Sequence, residues 1–541
     1  MKKRFNIIRI KKWTYLALVL IAIISVSFEY TARAEGEEKP AGNSKVEMTI
    51  KQAIEMAISK NLDIKVEKLN PLWKQEDVIN EKAQFDPSYY LNSSFDKSIK
   101  PTGSSLAGAP TVVNKNYKWD TGFRTDAVTG ANMSLDFTNT RAKTNSTFST
   151  LNPSYTSELK LNVTQPILKN FGIGVNKTKI RLAINNEKVS IQNLKQNVID
   201  TVTNVKKYYW DLVFSIDDKK VKDLSLKRAI DFLERTRKQV EVGTLAPIDI
   251  VQSEAEVASR QEGVIVAENN IKNADDKLKQ IINIVDDQGW DVEITPTDKP
   301  DYNPVPIDAT STISVAMAKR PDINQAKLSF DNSAISLQYA KNQLLPKLDF
   351  VSSFGINGLS GRKRPSAFGS SSSSAPFERH DNPLGESYEE TLKRIGTGNY
   401  YSWSVGIQLE IPLGNRAAKS SLSKSTIENE QAQLTLNSTK QKAMVDVRTA
   451  IRNVETNIKR IDTTKKARQL AKEKLDAEEK KYEVGMSTTH DVLQFQEDLA
   501  TAEANELNAI IDYNKSLVDL EKSTGTTLES ESIELPEEKM L

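Results

Sequence analysis

The sequence contains no cysteine among its 541 residues. Disulfides, thiolate metal sites and lipid attachment through an N-terminal cysteine are therefore excluded. Histidine is almost missing too: His380 and His490 stand in different segments, which leaves a histidine-based metal site or nucleophilic triad little to work with. No Walker, glycine-rich phosphate-binding or HExxH pattern occurs. Carboxylates are plentiful, but they fall on heptad helices, where they form solvated faces. No enzyme, cofactor or metal centre is expected.

Long apolar runs are scarce as well. The mean hydropathy is −0.49, and 27% of residues are charged, which excludes a bundle of transmembrane helices. It does not exclude a β-barrel, whose strands carry only a weak alternating signal. The one apolar run, Tyr15 to Val26, follows a basic start and precedes the small residues Ala32 and Ala34. It reads as a secretory signal over residues 1–34, cut after Ala34; the alternative, a membrane anchor, suffers from a run short of the ~20 residues that span a bilayer. Without that signal, seven basic side chains and one acid are lost, leaving 67 basic against 71 acidic residues, a net −4. So even a balance gives no electrostatic reason to expect nucleic-acid binding.

What is present is a plan written twice. "NLDIKVEKLN" begins at Asn61 and "RPDINQAKLS" at Arg320; Asp63 lies 24 residues before Pro87, and Asp322 lies 24 before Pro346. After each proline the apolar period changes from helical to two. Tyr89, Leu91 and Phe95 alternate with Tyr90, Asn92 and Asp96, and Leu348, Phe350, Phe354 and Ile356 alternate with Asp349, Ser353 and Asn357. These predict strands at 88–96 and 348–356. A second strand follows in each half, 157–165 with Leu159, Leu161 and Val163 on one face, and 402–411 with Trp403, Val405, Ile407, Leu409 and Ile411.

Long proline-free helices come next, expected at 176–241 and 416–482. Met444, Val447, Ile451, Val454, Ile458 and Ile461 step by three and four, as do Val198, Val205 and Leu212 with Val202, Tyr209 and Ile216; both are coiled-coil seams. "VEVGTLAPIDIVQSEAE" and "YEVGMSTTHDVLQFQED" close them at Gly243 and Gly485, 242 residues apart, and shorter helices follow at 249–285 and 491–523. Ile250, Val257, Val264, Ile271 and Leu278 fall one heptad apart and suggest a further seam.

The expected order is thus a linker at 35–47, a first repeat at 48–286, a linker at 287–308, a second repeat at 309–524 and a tail at 525–541. At ~1.5 Å per residue the long helices run about 100 Å and the short ones about half that, so two short helices end to end match one long one. That is the geometry of a cylinder wall. The linker and tail are expected to belt it at its waist.

Two further segments stand outside the plan. Residues 117–138 read as a hairpin, with Tyr117, Trp119, Thr121 and Phe123 facing Met133, Leu135 and Phe137. The preferred reading makes it decoration on an external loop; the other adds two strands to the sheet. Gly358 to Asn399, with "SAFGSSSSSAPF" inside, lacks periodicity and reads as a long flexible loop.

Together with "MTIKQAIEMAISKNLDI", "AKNQLLPKLDFVSSFG" and "WSVGIQLEIPLGNRA", the paired tips make the chain resemble the TolC-like outer-membrane efflux and secretion channels over nearly its whole mature length. The resemblance implies an α+β membrane protein with an internal two-fold repeat. It implies a homotrimer whose chains each give four strands, six if the hairpin enters, to one shared barrel in outer-membrane lipid. A helical coiled-coil tunnel then continues into the periplasm of a Gram-negative-type cell. It further implies a passive conduit in a tripartite efflux or type I secretion system, docked to a periplasmic adaptor and an inner-membrane transporter. The rival reading is a periplasmic coiled-coil adaptor without a pore, against which the four alternating strands speak.

Carried onto this chain, the resemblance makes Asp249 and Asp491, six past each tip glycine, the aperture acids. Tyr482 becomes the residue tying neighbouring coils, and Val242, Gly243, Thr244, Leu245, Val484, Gly485 and Met486 the adaptor-contact tips. For both acids a helix N-cap is an equal reading. Ser487 stands where the best-known members carry an arginine, and Gln494 where they carry an acid, so the closing bridges differ here. His490, beside Asp491, is a candidate source of pH dependence.

Overall fold

The computed structural model describes residues 45–103, 110–147, 149–284, 290–304, 306–364 and 384–533; the signal expected at 1–34 lies outside them. A small unit is described over 45–46 and 290–295, where Lys45 and Glu293 pair at 3.6 Å. Strands β1 (Lys45–Met48) and β6 (Glu293–Pro296) form a two-stranded sheet. Everything below concerns the large unit.

Its first helix starts at a reciprocal cap. Gln52 N–H donates to Thr49 Oγ1 at 3.2 Å while Thr49 N–H donates to Gln52 Oε1 at 2.9 Å, satisfying two otherwise unpaired donors. Ahead of Pro87 the chain forms three helices: α1 (Ile50–Lys60), α2 (Leu62–Glu67) and α3 (Leu69–Lys82). Asn61, at ψ 130°, leaves the helical conformation and caps α2 through Ile64 N–H at 3.1 Å.

Six strands form one antiparallel sheet among the described residues. They are β2 (Ser88–Pro101), β3 (Thr111–Asp126), β4 (Asn132–Thr144), β5 (Leu151–Pro166), β7 (Lys347–Lys363) and β8 (Tyr401–Glu410), in the order β2-β3-β4-β5-β7-β8. This corrects the preferred reading of 117–138. The hairpin β3–β4 is not loop decoration; it stands between β2 and β5, with Tyr89 opposite Phe123, Phe123 opposite Leu135 and Leu135 opposite Leu161. The physical reason lies in its alternation, which continues that of its neighbours on both sides, so insertion keeps every apolar side chain on one face.

Between the two halves of the sheet run α4 (Thr178–Glu241, 64 residues) and α5 (Pro247–Ile282, 36 residues). The second half opens with α6 (Ala309–Lys319), which ends at Arg320 because Pro321 heads α7 (Pro321–Gln343); a residue before proline is driven out of the helical region. A second correction follows β7. Its strand continues through the expected loop start to Lys363, and Tyr388–Thr397 forms helix α8. Gly358 and Gly361 hid this: a Cβ on Gly358 would meet Thr391 O at 2.3 Å, so only glycine lets α8 lie against β7. The serine-rich stretch 365–383 lies outside the described residues.

After β8 come α9 (Arg416–Glu483, 68 residues) and α10 (Thr489–Thr524, 36 residues). Near the sheet, α3 packs on α4, α4 on α7 and α7 on α9; toward the tips α5 packs on α4, α4 on α10 and α10 on α9. Four helical lines therefore lie side by side, with α3 and α5 along one edge and α9 along the other. Val198, Val202, Val205, Tyr209 and Leu212 of α4 and Val447, Ile451, Val454 and Ile461 of α9 are buried between them.

On α5 the expected seam is displaced. Leu278 is fully buried as expected, but Ile250, Val257, Val264 and Ile271 are only half-buried, and the buried row beside them is Ser253, Arg260, Ala267 and Ala274. Small residues let two long helices approach closely, and the larger aliphatic row lies half-buried at the flank of the contact. Residues 298–307 cross several helices: Tyr209 Oη donates to Asp298 at 2.7 Å, Tyr513 Oη to Asn303 O at 2.7 Å, and Tyr302 and Ile307 pack on Val454, Ile461 and Tyr513.

Candidate functional site

Both tips are reversals built on the same backbone device. Gly243 N–H donates to Val240 O at 3.0 Å and Thr244 N–H to Gln239 O at 2.9 Å; Gly485 N–H donates to Tyr482 O at 3.0 Å and Met486 N–H to Lys481 O at 2.8 Å. These are paired Schellman bonds. Gly243 and Gly485 both sit at φ 76° with open space where a side chain would stand, so the requirement is one of backbone angle alone. Val242, Thr244, Val484 and Met486 are exposed, and Leu245 is half-buried.

The two acids are helix-start residues, though not N-caps. Thr488 is the N-cap of α10: its Oγ1 accepts from Asp491 N–H at 3.2 Å, while Asp491 Oδ2 accepts from Thr488 N–H at 3.3 Å and from Thr488 Oγ1 at 2.6 Å. Thr488-x-x-Asp491 is a legible capping box. At α5, Asp249 Oδ2 likewise reaches back to Ala246 N–H at 3.2 Å, but Ala246 offers no side-chain acceptor in return. The hydroxyl and then the amide of Thr488 hold the Asp491 carboxyl below its ordinary 3.8, with smaller help from His490 and Lys481. Asp491 is thus charged at neutral pH.

Tyr482 is half-buried against Phe232, ring centroids 5.3 Å apart, and donates to Gln239 Oε1 at 3.0 Å. It therefore ties the tip of α9 to the tip of α4. His490 Nδ1 lies 3.2 Å from Gln252 Nε2, linking α10 to α5. Gln494 is exposed and donates to Asp498 on its own helix at 3.2 Å; Ser487 sits half-buried in the turn. Neither makes an ion pair across the tips.

Links between these helices also come from residues 15 and 17 positions from Gly243, and none had been singled out from sequence. Arg260, 5% exposed, pairs with Glu256 at 2.7 Å, donates to Ser225 of α4 and reaches Leu493 O of α10 at 3.3 Å. Arg228 of α4 meets Glu503 of α10 at 3.1 and 3.3 Å, a two-pronged pair. Their partners on α10 are 233 and 275 residues distant, and no local pattern marks so remote a contact.

At the opposite end, the sheet carries one apolar and one polar face. Tyr89, Leu91, Phe95, Phe123, Leu135, Leu161, Phe354, Trp403 and Ile407 are exposed on the first, Trp403 at 69% and Ile407 at 72%. Tyr90, Arg124, Asp136 and Asn162 interact on the second. No helix among the described residues is long and apolar enough to cross a membrane.

The sequence profile of a family described as outer membrane efflux protein matches residues 131–283 and 312–526, more than half of the chain. Outer membrane protein TolC of Escherichia coli strain K12 is 25% identical over 339 residues, covering 62% of this chain and 63% of that protein. Outer membrane protein TolC of Vibrio cholerae is 23% identical over 304 residues, covering 56% and 62%. The matched stretches span less than two-thirds of these relatives.

The fold is similar to that of the Campylobacter jejuni CmeC outer membrane channel, with a TM-score of 0.61 at 15% identity over 88% of this chain and 86% of that one. It is also similar to the open state of the Neisseria gonorrhoeae MtrE outer membrane channel, with a TM-score of 0.59 at 17% identity over 88% and 89%. An apolar-faced sheet joined to paired helical reversals agrees with these likenesses, and the chain belongs to the outer membrane efflux protein family, a family of outer-membrane channels and not of enzymes.

Proposed function

We infer that the chain is one of three copies forming a passive conduit from periplasm to exterior, filled by an inner-membrane transporter through a periplasmic adaptor. The carrying observation is that one chain offers two continuous unpaired edges. β2, α3 and α5 lie along the first, and β8 and α9 along the second. An open sheet edge in lipid leaves backbone groups unsatisfied, and closure into a barrel is what satisfies them.

The helical parts of both edges carry exposed apolar side chains: Leu69 and Trp73, with Ile248, Val251 and Ile265, on one side, and Ile427, Leu434 and Val445 on the other. Edges that differ from each other join head to tail, and a head-to-tail contact closes a ring when the rotation allows. The duplicated sequence supplies the wall with its matched element lengths.

In this reading, Asp491 is repeated around the axis as an acidic ring that favours cations at close quarters. Closure rests on Tyr482, His490, Arg228 and Arg260 rather than on Ser487 or Gln494. The exposed tips around Gly243 and Gly485 meet the adaptor. Planar-bilayer recordings of the purified protein test the ring: Asp491→Ala is expected to reduce cation preference several-fold, and an unchanged preference removes Asp491 from that role.

A further inference from the structure

The hairpin β3–β4 changes the size of the pore. In the second half the two wall strands, β7 and β8, are direct neighbours, whereas in the first half the strands in the matching places, β2 and β5, have β3 and β4 between them. Ser88, which opens β2, and Lys347, which opens β7, are 259 residues apart, the same offset as Asp63 and Asp322. The first half has thus gained two strands relative to the second. A whole hairpin is the smallest insertion that leaves the directions of β2 and β5 unchanged, since it enters and leaves at the same end of the sheet.

Contacts on both faces bind the hairpin into the wall. On the polar face Tyr90 of β2 reaches across β3 to hydrogen-bond Asp136 of β4, and Asp136 accepts from Asn162 of β5 at 2.9 Å. Gly122 of β3 makes this crossing possible: a Cβ there would stand 2.8 Å from the Tyr90 ring. The guanidinium of Arg124 lies 4.4 Å from the centroid of that ring. On the apolar face, Tyr89 meets Phe123 at 5.3 Å, Phe95 meets Tyr117 at 4.5 Å and Trp119 meets Phe137 at 5.5 Å, centroid to centroid. All four first-half strands are therefore cross-linked by side chains as well as by the ladder. Helix α8 rests on the face that carries Trp119, where its Tyr388 ring lies 6.0 Å from the indole, and so leaves the polar face clear.

We propose that each copy gives six strands, not four, to the shared barrel, so that three copies close an eighteen-stranded wall with a wide aqueous lumen. This rests on the conduit reading above. Barrel diameter grows roughly linearly with strand number, so eighteen strands enclose about 1.5 times the diameter and about 2.2 times the cross-section of a twelve-stranded ring. Strand numbers of 16–18 leave an open aqueous channel in other barrels. The size limit on cargo then lies at the helical tips, and the barrel accepts whatever passes them.

Electron cryo-microscopy of the full-length protein in lipid nanodiscs counts the strands directly. A ring of eighteen, with 111–144 in the wall, is expected. A ring of twelve, with that hairpin folded outside, overturns the proposal and leaves the conduit standing; a lone protomer without a ring overturns both. A second measurement compares Leu135→Arg with Leu161→Arg, two residues directly opposite each other on β4 and β5 and hence at one depth. With the hairpin in the wall, each substitution lowers the membrane-inserted fraction more than about tenfold, since a charge on the lipid face near mid-depth is strongly disfavoured. If Leu135→Arg inserts like the parent while Leu161→Arg does not, the hairpin lies outside the barrel.

Discussion

Asp491 combines two jobs that the residue type alone could not separate. Its carboxylate closes a capping box with Thr488, and the same bonds keep it ionised. Because the folded value is depressed below 3.8, folding favours the charged form. The resulting stabilisation of the tip is fully present above the unfolded value and is lost as pH falls below 3.8 through the folded value. The nearby charges of His490 and Lys481 add to the depression, and Asp491 in turn works against the lowering of the Glu478 carboxyl by its bonds to Lys481 and Ser487. Carbon-13 titration of the Asp491 carboxyl should show a midpoint below 3.8, and a midpoint at or above that figure contradicts the capping account.

The sequence placed this residue at a helix start, but its reading as the N-cap is corrected, since Thr488 holds that position. The bonds of Tyr482 to Gln239 and of His490 to Gln252 were not legible, because they join positions more than 230 residues apart. Ser487 and Gln494 stand out in sequence only by departing from a pattern. Contacts between these helices are made by other residues, among them Arg228 with Glu503 and Arg260 with Leu493.

Between elements, the seam of α4 with α10 is bound by a ladder of opposite charges. Asp200 meets Lys522 at 2.7 Å, Lys207 meets Asp519 at 2.6 Å, Asp211 meets Lys515, and Arg228 meets Glu503 at 3.1 Å. Most of these are exposed pairs that contribute little each. Lys206 is different. Its side chain is 7% exposed between Glu521 and Glu531; burial works against its charge, yet the two carboxylates prevail and raise it above its ordinary value.

Truncating Lys206 to alanine strands two acids in a largely dry seam. The expected loss is about 3 kcal/mol of stability, read by thermal unfolding under circular dichroism; a change within ±0.5 kcal/mol, typical of surface sites, would show that water already screens the site. Heptads made α4 and α9 readable as long helices, since burial by a partner helix requires that period. Which row of α5 is buried was not readable. A row of Ser, Arg and two Ala carries no apolar signal, while the Ile and Val row that does carry one lies at the flank of the contact, half-buried.

For the molecule as a whole, the decisive feature is a sheet with an exposed apolar face and two open edges. Such an object is unstable as a lone chain in water and incomplete as a lone chain in lipid. Outer-membrane fractions run on a denaturing gel without heating are therefore expected to give a compact, detergent-resistant species that shifts on boiling. Identical migration before and after boiling argues against a closed barrel.

Order along the chain was determined by the sequence alone, because the changes of period from 3.6 to 2 and back, the prolines and the tip glycines act through neighbours a few residues apart. The paired tips and the strand-to-helix segments carried a resemblance to an envelope channel family, and the family profile established membership. Neighbourhood was decided only by the tertiary structure: the hairpin at 111–144 joined the sheet, α8 arose inside an apparent loop, and arginines of α4 and α5 reached α10. Each of these depends on which surfaces meet across hundreds of residues, and a one-dimensional pattern records what a side chain is suited to touch without recording what it touches.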